Sequence, residues 1–205
     1  MVIDDKLLND PEFKKKLFAI DDILMNTHTD RSKPMPCSAN HKVARFENGI
    51  DCDEVYPGII VGNAGAARNK QYLKAIGVTH VLNTAHGDRF NMVATDAEFY
   101  RDVGITFKGL HLDDTWLEDI SRTFAESAAF IEEALEKRGG KVLVHCLAGV
   151  SRSATTAIAY LMLKKGLSVE NAVRTVRSNR RIFPNEGFLR QLVQLDMQLR
   201  AGLQK

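Results

Sequence analysis

His145-Cys146-Leu147-Ala148-Gly149-Val150-Ser151-Arg152-Ser153 is the stretch on which the reading of this chain turns. Before it, Val142-Leu143-Val144 is a short apolar run opened by Gly139-Gly140 and reads as a buried strand. After it, Ala154 to Leu163 is an alanine- and leucine-rich helix closed by Lys164-Lys165-Gly166, a basic last turn and a glycine stop. A strand-to-helix turn leaves backbone N–H groups unpaired at the helix start and aims them into one concavity. That concavity suits a tetrahedral dianion, because the N–H groups and the helix dipole both favour negative charge. Arg152 can close the ring with a bidentate fork that a lysine could not form. The same field lowers the pKa of Cys146 and populates its thiolate near neutral pH. A thiolate at the floor of a dianion cradle is placed to attack the phosphorus of a phosphate monoester. The plain alternative is a buried, inert cysteine. Gly149 for the tight turn, Arg152 at a phosphate oxygen and the Ser153 hydroxyl beside the sulfur argue against it.

Working outward, the chain reads as strands alternating with helices. Strands are expected at Ile59–Val61, Val78–Leu82, Ile105–Leu110 and Val142–Val144, the pattern of an α/β sheet with mostly parallel strands. Phe124, Ile131 and Leu135 mark one helix. Ser168 can cap another that carries Ala172, Val173 and Val176, and Phe188, Leu192, Leu195 and Leu199 form a stripe on the last. Near the start, Asp10-Pro11 is a helix opening, with aspartate as cap and proline at the first helical position. Phe13, Leu17, Ile20 and Leu24 then give one apolar stripe. Asn26 to Asn40 is polar with two prolines and reads as a linker. The expected division is residues 1–52 for this helix and linker, and 53–205 for the catalytic domain.

Composition fits one intracellular globular unit: 205 residues, 44% hydrophobic and 26% charged. A formal net charge of +2 and the lack of a Lys/Arg block argue against nucleic acid as a partner. No long apolar run or secretory signal is visible, which argues against a membrane partner. Cys37, Cys52 and Cys146 make an odd set without zinc-like spacing; a reducing compartment suits them, and whether Cys37 or Cys52 has a redox role stays open. The histidines are scattered, so neither a metal nor another cofactor is expected.

Ester cleavage also needs a proton donor for the leaving oxygen. Asp113 and Asp114 follow the strand Ile105–Leu110, and a loop leaving that end of a parallel strand shares a rim with the loop after Val144. Most Asp-Asp pairs are surface turn acids, and the residues alone do not choose between the two.

The Cys146 loop resembles the signature of the cysteine-dependent protein phosphatases, His-Cys, five residues, Arg-Ser. Glu54 to Asn63, Gly77 to Asn83, Ala159 to Met162 and Asn179 to Asn185 extend the likeness to the small atypical dual-specificity phosphatases, the vaccinia-related group, over residues 53 to 200. The resemblance implies a central, mostly parallel twisted sheet flanked by helices, here with an extra N-terminal helix. It implies hydrolysis of phosphotyrosine and phosphoserine or phosphothreonine in signalling proteins, MAP-kinase-like ones among them, through a cysteinyl-phosphate. Cytoplasmic placement, extending to the nucleus, goes with that role; oligomeric state is left open.

Residue by residue, the likeness carries Cys146 over as nucleophile, Arg152 as phosphate fork, and Leu147, Ala148, Gly149, Val150 and Ser151 as the cradle. It selects Asp114 as general acid. Ser153 is expected to hydrogen-bond the thiolate and help it leave. His145, which points opposite to Cys146 on the strand, is expected to hydrogen-bond backbone and tune the cysteine. Phe90 matches an aromatic at the pocket wall, with ordinary core packing as its alternative. Arg180 matches an arginine that binds a second phosphate; here Ala148 stands where an acidic residue would face it, so Arg180 is expected to be mobile. A phosphoinositide or RNA phosphatase would share this chemistry, although residues 147–151 hold no lysine to suit a lipid. A rhodanese-like sulfurtransferase would lack the pairing of Arg152 with Asp114. A non-catalytic phospho-binding module would not need Cys146.

Overall fold

The computed structural model describes residues 5–30 and 49–203. Five strands, β1 (Cys52–Tyr56), β2 (Ile59–Gly62), β3 (His80–Asn83), β4 (Thr106–Gly109) and β5 (Val142–His145), form one sheet in the order β1-β2-β5-β3-β4. β1 runs antiparallel to β2, and every other pairing is parallel. β5 is therefore central. Gly62 of β2 and Asn83 of β3 both stand opposite His145, so three parallel strands end at one edge and Cys146 leaves from its middle.

Side chains of a strand alternate between faces, and β5 serves two cores in this way. Val142 and Val144 join Ile59, Val61 and Leu82 on one face; Leu143 joins Ile60 and Val81 on the other. The nine described α-helices are α1 (Asp5–Asn9), α2 (Pro11–Asn26), α3 (Ala64–Arg68), α4 (Lys70–Ala75), α5 (Ala97–Tyr100), α6 (Phe124–Glu136), α7 (Arg152–Lys165), α8 (Val169–Asn179) and α9 (Glu186–Leu203). Helices α2 and α6 to α9 cover the first face, and α3, α4 and α5 the second. Local signals hold at the helix ends. Asp10 accepts from the N–H groups of Glu12 and Phe13, Ser168 Oγ accepts from Asn171 N, and Gly166 closes α7 at φ 65°.

The N-terminal helix shares the main core. Phe13, Ile20, Ile23 and Leu24 are buried there, while Leu17 of the expected stripe is only partly covered. Lys16 is buried, its Nζ 2.8 Å from Asp196 and 3.1 Å from Glu170. The chain then follows α8: Arg177 Nε donates to Leu24 O at 2.8 Å and Asp30 N to Ser178 O at 2.7 Å. The division expected after residue 52 falls inside β1, which the sequence reading did not include as a strand. The linker beyond residue 30, with Cys37, lies outside the described residues.

Candidate active site

The loop between β5 and α7 is held from outside through its carbonyls. Cys146 O accepts from His145 Nδ1 at 3.2 Å, Leu147 O from Ala64 N at 2.9 Å, and Val150 O from Phe183 N at 3.0 Å. Arg180 takes the two between, donating from Nη2 to Ala148 O at 3.4 Å and from Nε to Gly149 O at 2.7 Å. Ser151 O accepts from the N–H and hydroxyl of Thr155. In a trans peptide the C=O and the following N–H point in opposite directions. With each carbonyl turned out, the N–H groups turn inward. Gly149 N shows the result directly, donating to Cys146 Sγ at 3.2 Å. Glycine is required there: φ is 70°, and a Cβ would stand 2.5 Å from the backbone of Gly62.

Cys146 lies at the floor of this cradle, its Sγ 3.4 Å from Ser153 Oγ. Burial pushes the thiol up; the Ser153 hydroxyl and N–H, the Arg152 charge and the Gly149 N–H outweigh it and bring the pKa below the ordinary thiol value. Arg152 opens α7 with its side chain only 2% exposed. Nη1 donates to Leu112 O and Nη2 to Asn91 O, both at 3.0 Å. Nε, also buried, has no acceptor among the described residues. Nε and the neighbouring Nη2 hydrogen form the edge left for two phosphate oxygens. Asn91 adopts φ 64°, a conformation asparagine tolerates, and its carbonyl sets one corner of Arg152.

Asp114 reaches the pocket from the loop after β4. Ser151 Oγ donates to its Oδ1 at 2.7 Å and Asn185 Nδ2 at 3.0 Å, leaving Oδ2 3.6 Å from Arg152 Nε. Asp113 faces away: half-exposed, it stands 3.5 Å from Arg89 Nη2. Sequence reasoning did not include Asn185 among the site residues. Its Oδ1 caps α9 by accepting from Phe188 N at 3.0 Å, and the Pro184-Asn185 step before an apolar stripe is a legible helix start. The link from its Nδ2 to Asp114 has no local signal. Ser151 likewise spends its hydroxyl on Asp114 and does not cap α7.

One expectation changes, and one alternative is removed. Arg180, expected to be mobile, is held in place: it is 3% exposed, with Nη1 2.6 Å from Asp53 and Nη2 2.7 Å from Asp51. Ala148 offers no acidic side chain, and two aspartates at β1 hold the guanidinium instead. Phe90 does not pack in the core; it is 91% exposed beside Asn91. His145 is fully buried, and burial pushes its pKa down to about 4, against the backbone hydrogen bond at Cys146 and with the charges of Arg68 and Arg152.

A sheet edge presenting thiolate, guanidinium fork and carboxyl around one anion seat defines a cysteine-dependent phosphatase, and the comparisons narrow the class. The family model "Dual specificity phosphatase, catalytic domain" matches residues 59–198, and the chain belongs to that family. Human dual specificity protein phosphatase 26 is 45% identical over 152 residues, 74% of this chain and 70% of that protein. The crystal structure of human DUSP28 aligns with TM-score 0.63 at 30% identity, covering 73% of this chain and 95% of that one. That of a mouse putative dual specificity phosphatase complexed with zinc tungstate aligns at 0.64 and 28%, covering 85% and 95%. The chain is a protein phosphatase of dual specificity, a hydrolase acting on phosphoproteins; the lipid, RNA and binding-module readings are not favoured.

Proposed function

We propose that this phosphatase works through a cysteinyl-phosphate formed on Cys146. The Cys146 thiolate attacks phosphorus in line while the cradle N–H groups and Arg152 hold the equatorial oxygens. The P–O bond to the leaving group breaks, and Asp114 gives that oxygen its proton. Ser151 and Asn185 both donate to Oδ1, which leaves Oδ2, the oxygen nearer Arg152, as the one that handles the transferred proton. In the second step ionised Asp114 takes a proton from water as the water oxygen attacks phosphorus. The P–S bond breaks, phosphate departs, and the Ser153 hydroxyl stabilises the returning thiolate. His145 holds Cys146 O from behind and takes no proton from the substrate.

The observation that carries this reading is the loop with every carbonyl engaged outside and its N–H groups turned toward Cys146. Exposed Phe90, Trp116, Leu147 and Phe183, each within two residues of Asn91, Asp114, Cys146 or Asn185 in the chain, support substrates presented on protein segments, phosphotyrosine and phosphothreonine alike, with MAP-kinase-like signalling proteins as candidates. A nucleophile that must stay reduced suits the cytoplasm and nucleus. Turnover of a small aryl phosphate, inhibited by vanadate and indifferent to EDTA, is the expected behaviour. Loss of activity in EDTA would overturn the mechanism in favour of a metal-dependent one.

A further inference from the structure

Arg180 lies behind the cradle, on the side away from the substrate, and its surroundings assign it a task other than anion binding. Its guanidinium is almost wholly buried and meets four acceptors: Asp51, Asp53, Ala148 O and Gly149 O. Both carboxylates come from the start of the edge strand β1, which sits beside β2 in the sheet. Asp51 is itself fixed to the turn after β2: Asn63 N donates to Asp51 O at 2.9 Å and Asp51 N to Asn63 Oδ1 at 3.1 Å. Burial alone would favour losing the Arg180 proton; the two aspartates reverse that and hold the guanidinium charged.

We propose that Arg180, clamped by Asp51 and Asp53, is a positioning residue that keeps the Ala148 and Gly149 carbonyls turned out of the cradle. Peptide geometry makes this consequential. Holding Ala148 O outward fixes the Gly149 N–H on Cys146 Sγ, and holding Gly149 O outward turns the Val150 N–H into the anion seat. A flipped peptide at either position would place a carbonyl oxygen beside the thiolate and the phosphate, repelling both. Close packing leaves no slack: a Cβ on Gly149 would meet Arg180 Nη2 at 2.9 Å. Arg180 thus acts on the reaction through the backbone, and its paired aspartates leave it no vacancy for a second substrate phosphate. The inference rests on the cradle reading above.

The test uses Arg180→Ala, Arg180→Lys and the double variant Asp51→Asn/Asp53→Asn, each checked for parent-like circular dichroism. Three quantities are read: the pH midpoint of Cys146 alkylation by iodoacetate, the Kd for vanadate, and kcat and KM on a small aryl phosphate with a single phosphate. The expected result for Arg180→Ala is an alkylation midpoint moved up, with vanadate affinity and kcat/KM each down on the order of 10–100-fold, the cost of a misaimed oxyanion donor. Arg180→Lys recovers only part of this, since an ammonium cannot serve two carbonyls in one plane. The aspartate double variant shifts all three in the same direction by less, and decides the matter if Arg180→Ala does not fold. Parent-like alkylation and vanadate binding in a folded variant, with losses confined to doubly phosphorylated peptides, would overturn the proposal and restore Arg180 as a phosphate subsite. Cys146→Ser run in parallel separates the two readings: if it keeps turnover, the cradle mechanism itself has failed.

Discussion

The two halves of the active site are built from different materials. The loop carrying Cys146 and Arg152 is clamped through its own main-chain carbonyls by donors around it, and residues 151–162 behind it are buried without a break. The loop carrying Asp114 is mostly exposed from residue 113 to 117, and side chains from elsewhere hold the carboxylate: Ser151, Asn185 and, more distantly, Arg152. One half is a fixed electrostatic mould; the other is an arm tied down at its tip. A dianion seat must be preorganised before substrate arrives, because its benefit lies in dipoles that need no rearrangement. A proton donor has to admit a bulky leaving group and release it, which a loop held by few bonds allows.

The comparison breaks most visibly at the mould. Cys146→Ser should abolish turnover while vanadate and phosphopeptide still bind, since the N–H groups and Arg152 are untouched. Arg152→Lys should lose both turnover and anion affinity, because a single ammonium cannot keep Leu112 O and Asn91 O while also gripping phosphate. Steady-state rates and vanadate titrations on the two variants check this. Substantial turnover by Cys146→Ser would remove the mould's purpose.

At the arm, Asp114→Asn should slow kcat by roughly 10²–10⁴-fold, the range for a positioned acid. With aryl phosphates whose leaving group departs unprotonated, the penalty should fall away from kcat/KM, which reports the first step, and remain in kcat, which then reports slow hydrolysis of the phosphoenzyme. kcat/KM for the parent should rise with pH as the Cys146 thiolate, whose pKa is lowered, becomes populated. Asp113→Asn should change little, as that side chain faces Arg89. If the two variants exchange roles, the proton donor is the wrong aspartate.

The floor of the mould carries a pH cost of its own. His145 has its pKa lowered to about 4 in the fold against 6.5 when unfolded. Its contribution to stability is present above pH 6.5 and is lost as pH falls toward 4, because the unfolded chain takes up the proton first. The full loss is about 3 kcal/mol. Urea unfolding at pH 7.5 and at pH 5 measures it, and His145→Asn, which keeps an N–H for Cys146 O, should show a smaller drop between the two. An equal drop in both proteins would remove His145 as the source.

A weaker effect sharpens the contrast. Asn185→Ala should lower kcat about 10-fold, the worth of one hydrogen bond to a carboxylate, with the loss growing as the leaving group becomes poorer. Anion affinity should stay near the parent value, because the Asn185 side chain donates to Asp114 Oδ1 and Thr115 O, while its link to the Cys146 loop runs from its backbone N to Ser151 Oγ and survives the substitution. Equal losses on good and poor leaving groups would show that Asn185 supports the fold at large.

The same division explains what the sequence could disclose. Strand, turn and helix of the Cys146 loop are contiguous, so Val142–Val144, Gly149 and the Lys164-Lys165-Gly166 stop announce them within one short stretch. The partners of the arm are remote: Ser151 is 37 residues from Asp114 and Asn185 is 71. Asp51 and Asp53 lie 129 and 127 residues from Arg180, which is why a mobile arginine was expected and a clamped one found. β1 escaped for a related reason. Its Cys52-Asp53-Glu54-Val55-Tyr56 lacks clean alternation, because Asp53 serves Arg180 and Glu54 accepts from Gly58 N. Residues chosen for a distant partner blur the local pattern that would reveal their strand.

The central claim is that phosphate passes through Cys146 and that Asp114 serves both steps. Asp114→Asn mixed with an activated aryl phosphate should form the phosphoenzyme at a nearly normal rate and hydrolyse it slowly, so that it accumulates. Acid quench followed by tandem mass spectrometry of the cradle peptide locates the group. Phosphate on Cys146 Sγ, absent from the Cys146→Ser control, is the predicted result. Phosphate on Ser151 or Ser153, or turnover with no phosphoenzyme in any variant, would contradict the account.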